Sequence, residues 1–487
     1  MVVADKPEQN SGEVDGTESH DPAYPAKFLD FMRSGWRDTE LPVSLVSQAP
    51  NYVRRRAAVA AAFPGETLII PSGVEKVRAN DTDFPYRPGS DFVYLTGDHD
   101  PESVLVLRPG GAATLYMRPR SPRDTDEFFK DRVVGELWIG RRHTLKEKSA
   151  ELGIECAHLN ELPGVLDDLA PARTRVLRGF DPRVDKAVRP VNAERDHELA
   201  VVISELKLIK DEWEVAQLQD AIDATVRGFE DVARILPADR AVSERLVEGI
   251  FGLRARHDGN GVGYSSIVGA GSHATVLHWI RNDGQIVPGD LLLADMGVEG
   301  RSLYTADVTR TLPVSGQFTS AQRQIYDIVY ASQVAGMEYI KPGVKFTDVH
   351  QVCMRVLAEG LHGLGILPVS VDEAMEKDSV LYRRWTLHGF GHMLGIDVHD
   401  CANARADKYK DGDLAPGYVL TVEPGLYFQP EDELVPAELR GIGVRIEDDV
   451  IVTASGCENL SAALPRTADE VETWLGTQRS LGLRLPG

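Results

Sequence analysis

The sequence is poor in cysteine, in positive charge and in long apolar runs. Its 487 residues hold four cysteines, Cys156, Cys353, Cys401 and Cys457, and the two nearest in sequence are 48 positions apart. No CxxC unit exists for thiolate zinc or redox chemistry. A disulfide framework is not expected at this density, and a reducing compartment, the cytoplasm, fits best. Lysine and arginine total 53 against 75 aspartates and glutamates, a formal net charge of −22. Such a surplus repels phosphates, which argues against nucleic acid and anionic membranes as partners. No apolar run approaches the ~18 residues needed to span a bilayer. The first twenty residues carry five acids and one lysine, the reverse of the basic and then apolar order of a secretory signal. Any bound metal is therefore expected on oxygen and imidazole ligands.

What remains is an ordinary globular composition, 43% hydrophobic and 26% charged, on a chain long enough for two or three domains. Residues 1–45 read as an acidic tail followed by one short amphipathic stretch, PAKFLDFMRSGW. Residues 46–200 read as a mixed α/β domain. The runs ETLIIPSG, SDFVYLTG, ESVLVLRPGG and AATLYMRP, bounded by Gly, Pro and Asp, predict strands, and NYVRRRAAVAAAF predicts a helix. A second domain, 201–487, opens on a strong helix. Val215, Leu218, Ile222, Val226, Phe229, Ala233 and Leu236 share one face, Asp211 and Glu214 cap the start, and Pro237 ends it. Thr319 and Gln322 form a capping-box pattern ahead of a further helix. Another is predicted from Thr347, with Val349, Val352, Val356 and Leu361 on one face. DLLLADMG, DVTRTL, YVLTVEPG and GVRIEDDVIVT predict strands.

Acids inside apolar runs are costly unless a partner or a metal compensates them. Asp295 ends one such run, and Asp307 opens another twelve residues later, across a loop suited to a hairpin. Taken alone, each is most simply a turn or cap aspartate. His388, His392 and His399 fall within twelve residues of a glycine-rich apolar stretch, in a pattern that is not HExxH. Glu423 ends a strand that Pro424 stops. Arg445 and Glu447, two apart, share a strand face, and a surface ion pair is the simplest reading of them beside Asp448 and Asp449. Four carboxylates converging in a low dielectric would repel strongly. Two divalent cations would cancel that charge. Hard oxygen plus nitrogen donors suit Mn²⁺, and also Co²⁺ or Zn²⁺.

The set DMG…TADVTRTL, HGFGHMLGIDVHD, TVEPGLYF and GIGVRIEDD resembles the metal-dependent Xaa-Pro aminopeptidases (aminopeptidase P) of the methionine aminopeptidase–prolidase superfamily. FPYRPGSDFVYLTG is similar to their amino-terminal domain. The resemblance implies an N-terminal α/β domain followed by a pita-bread catalytic domain over a dinuclear metal site. It places the metal ligands on Asp295, Asp307, His392, Glu423 and Glu447. Asp307 and Glu447 would bridge the ions, Asp295 would complete one, and His392 and Glu423 the other. It further implies catalytic roles for Glu423 as proton carrier, for His278 and His399 near the oxyanion, for His388 at the proline pocket, and for Arg445 behind the ligands. One departure is visible: the two aspartates are twelve apart here and eleven in many relatives.

The reaction so implied is hydrolysis of the bond before a penultimate proline, with peptide substrates and a homodimer or homotetramer. Prolidase, which cuts only Xaa-Pro dipeptides, is the nearest alternative. Many prolidases carry a longer arginine-containing segment between the last His motif and the TVEPG strand. Here His399 and Glu423 are 24 apart, with Arg405 the one arginine between them. Methionine aminopeptidases often lack the large first domain, and creatinases lack this ligand set. A metal-free binding module on the same fold is the alternative from a different class.

Overall fold

The computed structural model describes residues 24–80, 82–190 and 192–483. Most of the acidic tail expected from the sequence, residues 1–23, lies outside them. The chain divides into two compact units, one ending at Ala200 and the other beginning at Val201.

The first unit is built on a five-stranded sheet. Helix α1 (Ala49–Ala62) leads into β1 (Thr67–Pro71), then α2 (Ser90–Thr96), β2 (Val104–Leu107), β3 (Ala113–Met117), β4 (Glu155–His158) and β5 (Thr174–Val176). The strand order is β4-β3-β2-β1-β5. β1–β2 and β2–β3 are antiparallel, whereas β3–β4 and β1–β5 are parallel. β1 and β2 are buried along their whole length, so their apolar runs are continuous and not alternating.

SDFVYLTG, predicted as a strand, is the helix α2. Its residues Phe92 to Thr96 are all buried, so the run shows no polar face to betray a helical period. Gly97 closes the helix in the left-handed conformation at φ 72°, donating its N–H to the Val93 carbonyl. A Cβ at Gly97 would also strike the Tyr52 ring.

The second unit repeats one plan. Helices α3 (Glu212–Ile235) and α4 (Glu244–Asp258) accompany the antiparallel sheet of β6 (Ile267–Ala270), β7 (Leu291–Met296) and β8 (Val308–Pro313). Helices α5 (Ser320–Tyr339) and α6 (Phe346–Gly363) then accompany β9 (Val419–Val422), β10 (Gly425–Tyr427), β11 (Gly443–Arg445), β12 (Asp448–Val452) and β13 (Cys457–Asn459), before the closing helix α7 (Ala468–Leu481). β9-β12-β13 form a second three-stranded sheet and β10-β11 a ribbon. One continuous apolar core runs under both halves, from Phe229 and Phe251 through Leu292 and Leu312 to Leu357, Leu420 and Val450.

The capping boxes at Asp211–Glu214 and Thr319–Gln322 are formed as their spacing predicts. Helix α6 begins at Phe346, and its preceding Lys345 makes no side-chain cap. Thr347, the predicted start, lies in the first turn and donates its backbone N–H to the Lys410 carbonyl. The deep face of α6 is Val349, Cys353, Leu357 and Leu361, while Val352 and Val356 sit half-buried at its edge. GVRIEDDVIVT is two strands and not one, because its backbone changes partners at Ile446–Glu447. The Ile446 N–H turns to Pro424 and the Glu447 N–H to Thr309. That break is what exposes the Glu447 side chain to a cavity instead of a sheet face.

Candidate metal centre

The predicted ligands sit at or beside strand ends. Asp295 pairs with Thr309 near the end of the β7–β8 ladder, and Asp307 immediately precedes β8. His392 lies on an irregular segment clamped to β9. Its N–H reaches Thr421 Oγ1 at 3.0 Å, and its carbonyl accepts the Thr421 N–H at 2.9 Å. Glu423 follows β9 directly, its N–H held by the Phe390 carbonyl at 2.7 Å. Donor atoms of Asp307, His392 and Glu447 lie within 4.8 Å of one another. His392 Nε2 is 3.3 Å from Asp307 Oδ2 and 3.5 Å from Glu423 Oε1.

All nine candidate residues line one cavity of about 850 Å³, within the second unit. Arg445, Glu447, Asp448 and Asp449 are no more than 3% exposed, which overturns the surface ion-pair reading. Asp295 and Asp307 are likewise buried and are not simple turn aspartates. Asp448 instead binds Arg310, Gln333 and Ser461 in the interior.

The electrostatics are those of acids brought together in a dry place. Burial, opposed by Arg445 and reinforced by Asp307, holds the Asp295 carboxyl above its ordinary range. Burial and then the neighbouring Asp307, Glu423 and Asp295 push Glu447 well up. Burial lifts Glu423 to about 7 in spite of His392. Burial opposes a charge on His392, but the hydrogen bond with Asp307 and the charge of Glu423 prevail and raise it to about 9. The site thus collects negative charge that calls for cations.

The donor set fits divalent metal. Its atoms are carboxylate oxygens and one imidazole nitrogen, with no thiol. His392 donates Nδ1–H to the Met393 carbonyl at 3.1 Å, which leaves Nε2 as the free ligand atom facing the acids. The acids are also held from behind. Arg445 donates to Asp295 at 2.6 Å and to the Tyr427 hydroxyl at 2.9 Å. Thr309 Oγ1 accepts from Arg445 Nε at 3.2 Å and donates to Glu447 at 2.6 Å. The Tyr264 hydroxyl lies 2.6 Å from Asp295 Oδ1 and 2.5 Å from Asp307 Oδ1, shared between them.

The remaining histidines surround the acids. His388 donates Nδ1–H to Gly389 and accepts from Tyr427 at Nε2, 2.7 Å away; burial, with Arg445 nearby, drives it down to about 3, so it is neutral. The His399 ring stands edge-on to His392 with centroids 4.3 Å apart, and burial lowers its affinity for a proton. His278 lies on the wall of the same cavity.

Tyr264, Thr309, Arg310 and Tyr427 escaped the reading of the sequence. Arg310, 1% exposed inside strand β8, had a visible signal: an arginine between apolar strand residues needs a buried partner. Tyr264 and Thr309 had none, since neutral hydroxyls suit strands and turns anyway.

Residues 216–454 match metallopeptidase family M24, and residues 52–177 match the aminopeptidase P N-terminal domain. The chain is 53% identical to Xaa-Pro aminopeptidase 1 of Streptomyces coelicolor over 93% of both chains. The chain belongs to the aminopeptidase P group of metallopeptidase family M24. The Xaa-Pro aminopeptidase of Escherichia coli is 34% identical over 90% of this chain and 100% of its own. The solved structure of aminopeptidase P from E. coli with the inhibitor Pro-Leu superposes with a TM-score of 0.79 at 33% identity, covering 90% of this chain and 100% of that one. A zinc-substituted form of the E. coli protein in complex with product has also been solved, with a TM-score of 0.78, 32% identity and the same coverage. The architecture is accordingly an aminopeptidase P N-terminal domain and a pita-bread catalytic domain. No helix among the described residues is long and apolar enough to cross a membrane.

Proposed function

We propose that this chain is a dinuclear metal-dependent Xaa-Pro aminopeptidase, releasing the N-terminal residue from peptides whose second residue is proline. The observation that carries this reading is the meeting of four carboxylates with the His392 imidazole in one cavity of an M24 chain. Asp307 and Glu447 would each hold both ions, Asp295 would complete one, and His392 and Glu423 the other. Manganese is the preferred metal, with cobalt and zinc as alternatives on the same donors. When bound, such a pair supplies positive charge that acidifies an attacking water and polarises the scissile carbonyl.

The residues divide the remaining work. Water oxygen bonds to the carbonyl carbon while its proton passes to Glu423. The carbon–nitrogen bond then breaks as Glu423 returns that proton to the proline nitrogen. This delivery is essential because a tertiary amide nitrogen carries no hydrogen of its own and cannot leave as an anion. His278 and His399, on the cavity wall, would donate toward the carbonyl oxygen as charge develops there. Neutral His388, fixed by Tyr427, offers an uncharged ring edge for the proline. Arg445 holds Asp295 and, through Thr309, Glu447.

Arg405, the arginine that a prolidase reading would use for a dipeptide carboxylate, is engaged with Glu205 at 2.7 and 2.8 Å. Longer peptides are therefore the expected substrates. Dialysis against chelator should abolish cleavage, and Mn²⁺ should restore it on Xaa-Pro-Xaa-Xaa peptides. Activity confined to Xaa-Pro dipeptides would replace this reading with a prolidase, and no metal-dependent cleavage at all would leave a binding module. The resemblance further supports a homodimer or homotetramer, which sedimentation would test. Four unpaired cysteines support a cytoplasmic setting.

A further inference from the structure

Glu244, at the start of α4, is fully buried, and its carboxylate receives four N–H groups. Oε1 accepts from the Ala270 backbone at 3.0 Å and from His273 Nδ1 at 2.9 Å. Oε2 accepts from Trp279 Nε1 at 2.9 Å and from the Gly284 backbone at 2.8 Å. The Glu244 N–H also donates to the Gly284 carbonyl. One side chain thus ties together the end of β6, the turn that follows it, Trp279, and the far end of the loop at Gly284. A buried carboxylate is costly unless its lone pairs are filled, and here four donors fill them.

The loop so gathered makes part of the cavity wall. Leu277, His278 and Ile280 line the cavity, while Trp279 is 7% exposed and packs with Ile267, Ala274, Leu293 and Tyr427. The indole is also stacked on His273, with ring centroids 3.8 Å apart, and the Arg281 guanidinium carbon lies 4.2 Å from its centroid. Trp279 is therefore the inward anchor of a segment whose neighbours on either side face the cavity.

We propose that Glu244 is a positioning residue for His278, acting through Trp279 and the 270–284 loop. It touches neither substrate nor metal ligand; it fixes where the His278 ring can stand. The proposal rests on the reading above that His278 takes part in catalysis. Misplacement of a catalytic group by about 1 Å can cost on the order of 100-fold in rate, so the loop's anchorage matters as much as its residue types.

The test is a double-mutant cycle on the full-length, metal-loaded protein with E244Q, H278A and the pair, measuring kcat and KM on an Xaa-Pro-Xaa-Xaa peptide. Glutamine keeps the shape but turns one acceptor oxygen into a donor that meets two N–H groups. E244Q alone should lower kcat by roughly 10- to 100-fold. In the H278A background it should change kcat by less than about threefold, because the group it positions is gone. Hydrogen exchange across 270–284 should rise in E244Q, with bound metal per chain unchanged. Equal losses in both backgrounds, unchanged exchange, or a normal rate for E244Q would each overturn the proposal. Full activity of H278A by itself would instead overturn the catalytic reading of His278, and the proposal with it. W279F, which removes only one of the four donors, repeats the cycle with a smaller expected loss of about two- to fivefold, should E244Q fail to accumulate folded.

Discussion

Thr309 and Tyr264 show how neutral side chains serve a charged site. Each hydroxyl stands between two ionisable groups, Arg445 and Glu447 in one case, Asp295 and Asp307 in the other. The acids inside apolar runs and the cluster around His392 stood out in the sequence, and the family resemblance assigned them to one site. The two hydroxyls did not, because nothing about a threonine in a strand or a tyrosine beside one is anomalous. Tyr264→Phe keeps the ring and removes the one proton shared by the oxygens of two proposed ligands, Asp295 and Asp307. It should weaken metal retention or kcat by about 10- to 100-fold, with the melting temperature of the metal-free protein little changed; titration calorimetry with Mn²⁺ beside steady-state rates would measure both. Unchanged affinity and rate would show that the two aspartates need no donor between them.

Asp400, next to His399, belongs to a different charge system. It is buried against Lys207 at 3.2 Å and Lys210 at 3.1 Å. Burial works against its charge, but Lys207 and Lys210 prevail and hold it down at about 2. Its folded value is below its unfolded one, so its stabilisation is present above about 3.9 and is lost as the pH falls through about 2. Asp400→Asn takes the shared carboxylate from two buried ammonium groups, with Asp397 at 3.7 Å still beside Lys207, and should cost about 3–5 kcal/mol at neutral pH. The variant's stability should also fall less steeply than the parent's between pH 4 and pH 2 in denaturant titrations. A cost below about 1 kcal/mol would mean that water or other acids satisfy the lysines.

At the scale of elements, local chemistry was readable and partner exchange was not. The capping boxes of α3 and α5 are contained within four residues each, so sequence spacing suffices to find them. The helix α2 and the break between β11 and β12 depend on what surrounds them, a core on all sides in one case and a change of hydrogen-bond partner in the other. The same kind of exchange holds the His392 segment against β9. Gly391 allows it, since a Cβ there would come within 2.0 Å of the Thr421 carbonyl oxygen, a backbone atom with no room to yield. Gly391→Ala should therefore push apart the two chains that carry His392 and Glu423, although neither residue is altered. Activity should fall by about 100-fold or more, as expected for ligands displaced on the order of 1 Å, while far-ultraviolet circular dichroism stays near that of the parent. A variant with normal rates would show that the segment tolerates separation from β9.

For the whole molecule, the net charge of −22 has two parts that respond differently to pH. Acids on the surface repel one another weakly through water. In the cavity, Asp295 and Glu447 are held above their ordinary range by burial, Glu423 is lifted to about 7, and His392 to about 9. Every one of these folded values lies above the unfolded one, so folding without metal takes up protons. That contribution is fully present below the unfolded values, about 4 for the carboxyls and 6.5 for the histidine, and is lost as the pH rises through about 7 and then about 9. Metal needs the same groups deprotonated, so it competes with protons for the site and gains ground over the same window. The melting temperature of chelator-treated protein should accordingly fall between pH 5 and pH 8.5 in the part set by these cavity groups. The gap between Mn²⁺-loaded and chelated samples should widen by several degrees over that range, in line with ligand-linked stabilisation growing with effective affinity. Scanning calorimetry at the two pH values, at fixed ionic strength and free metal, would decide it. A gap independent of pH would mean that the cavity acids keep their charge without cations, and the fit of this donor set to metal would lose its electrostatic ground.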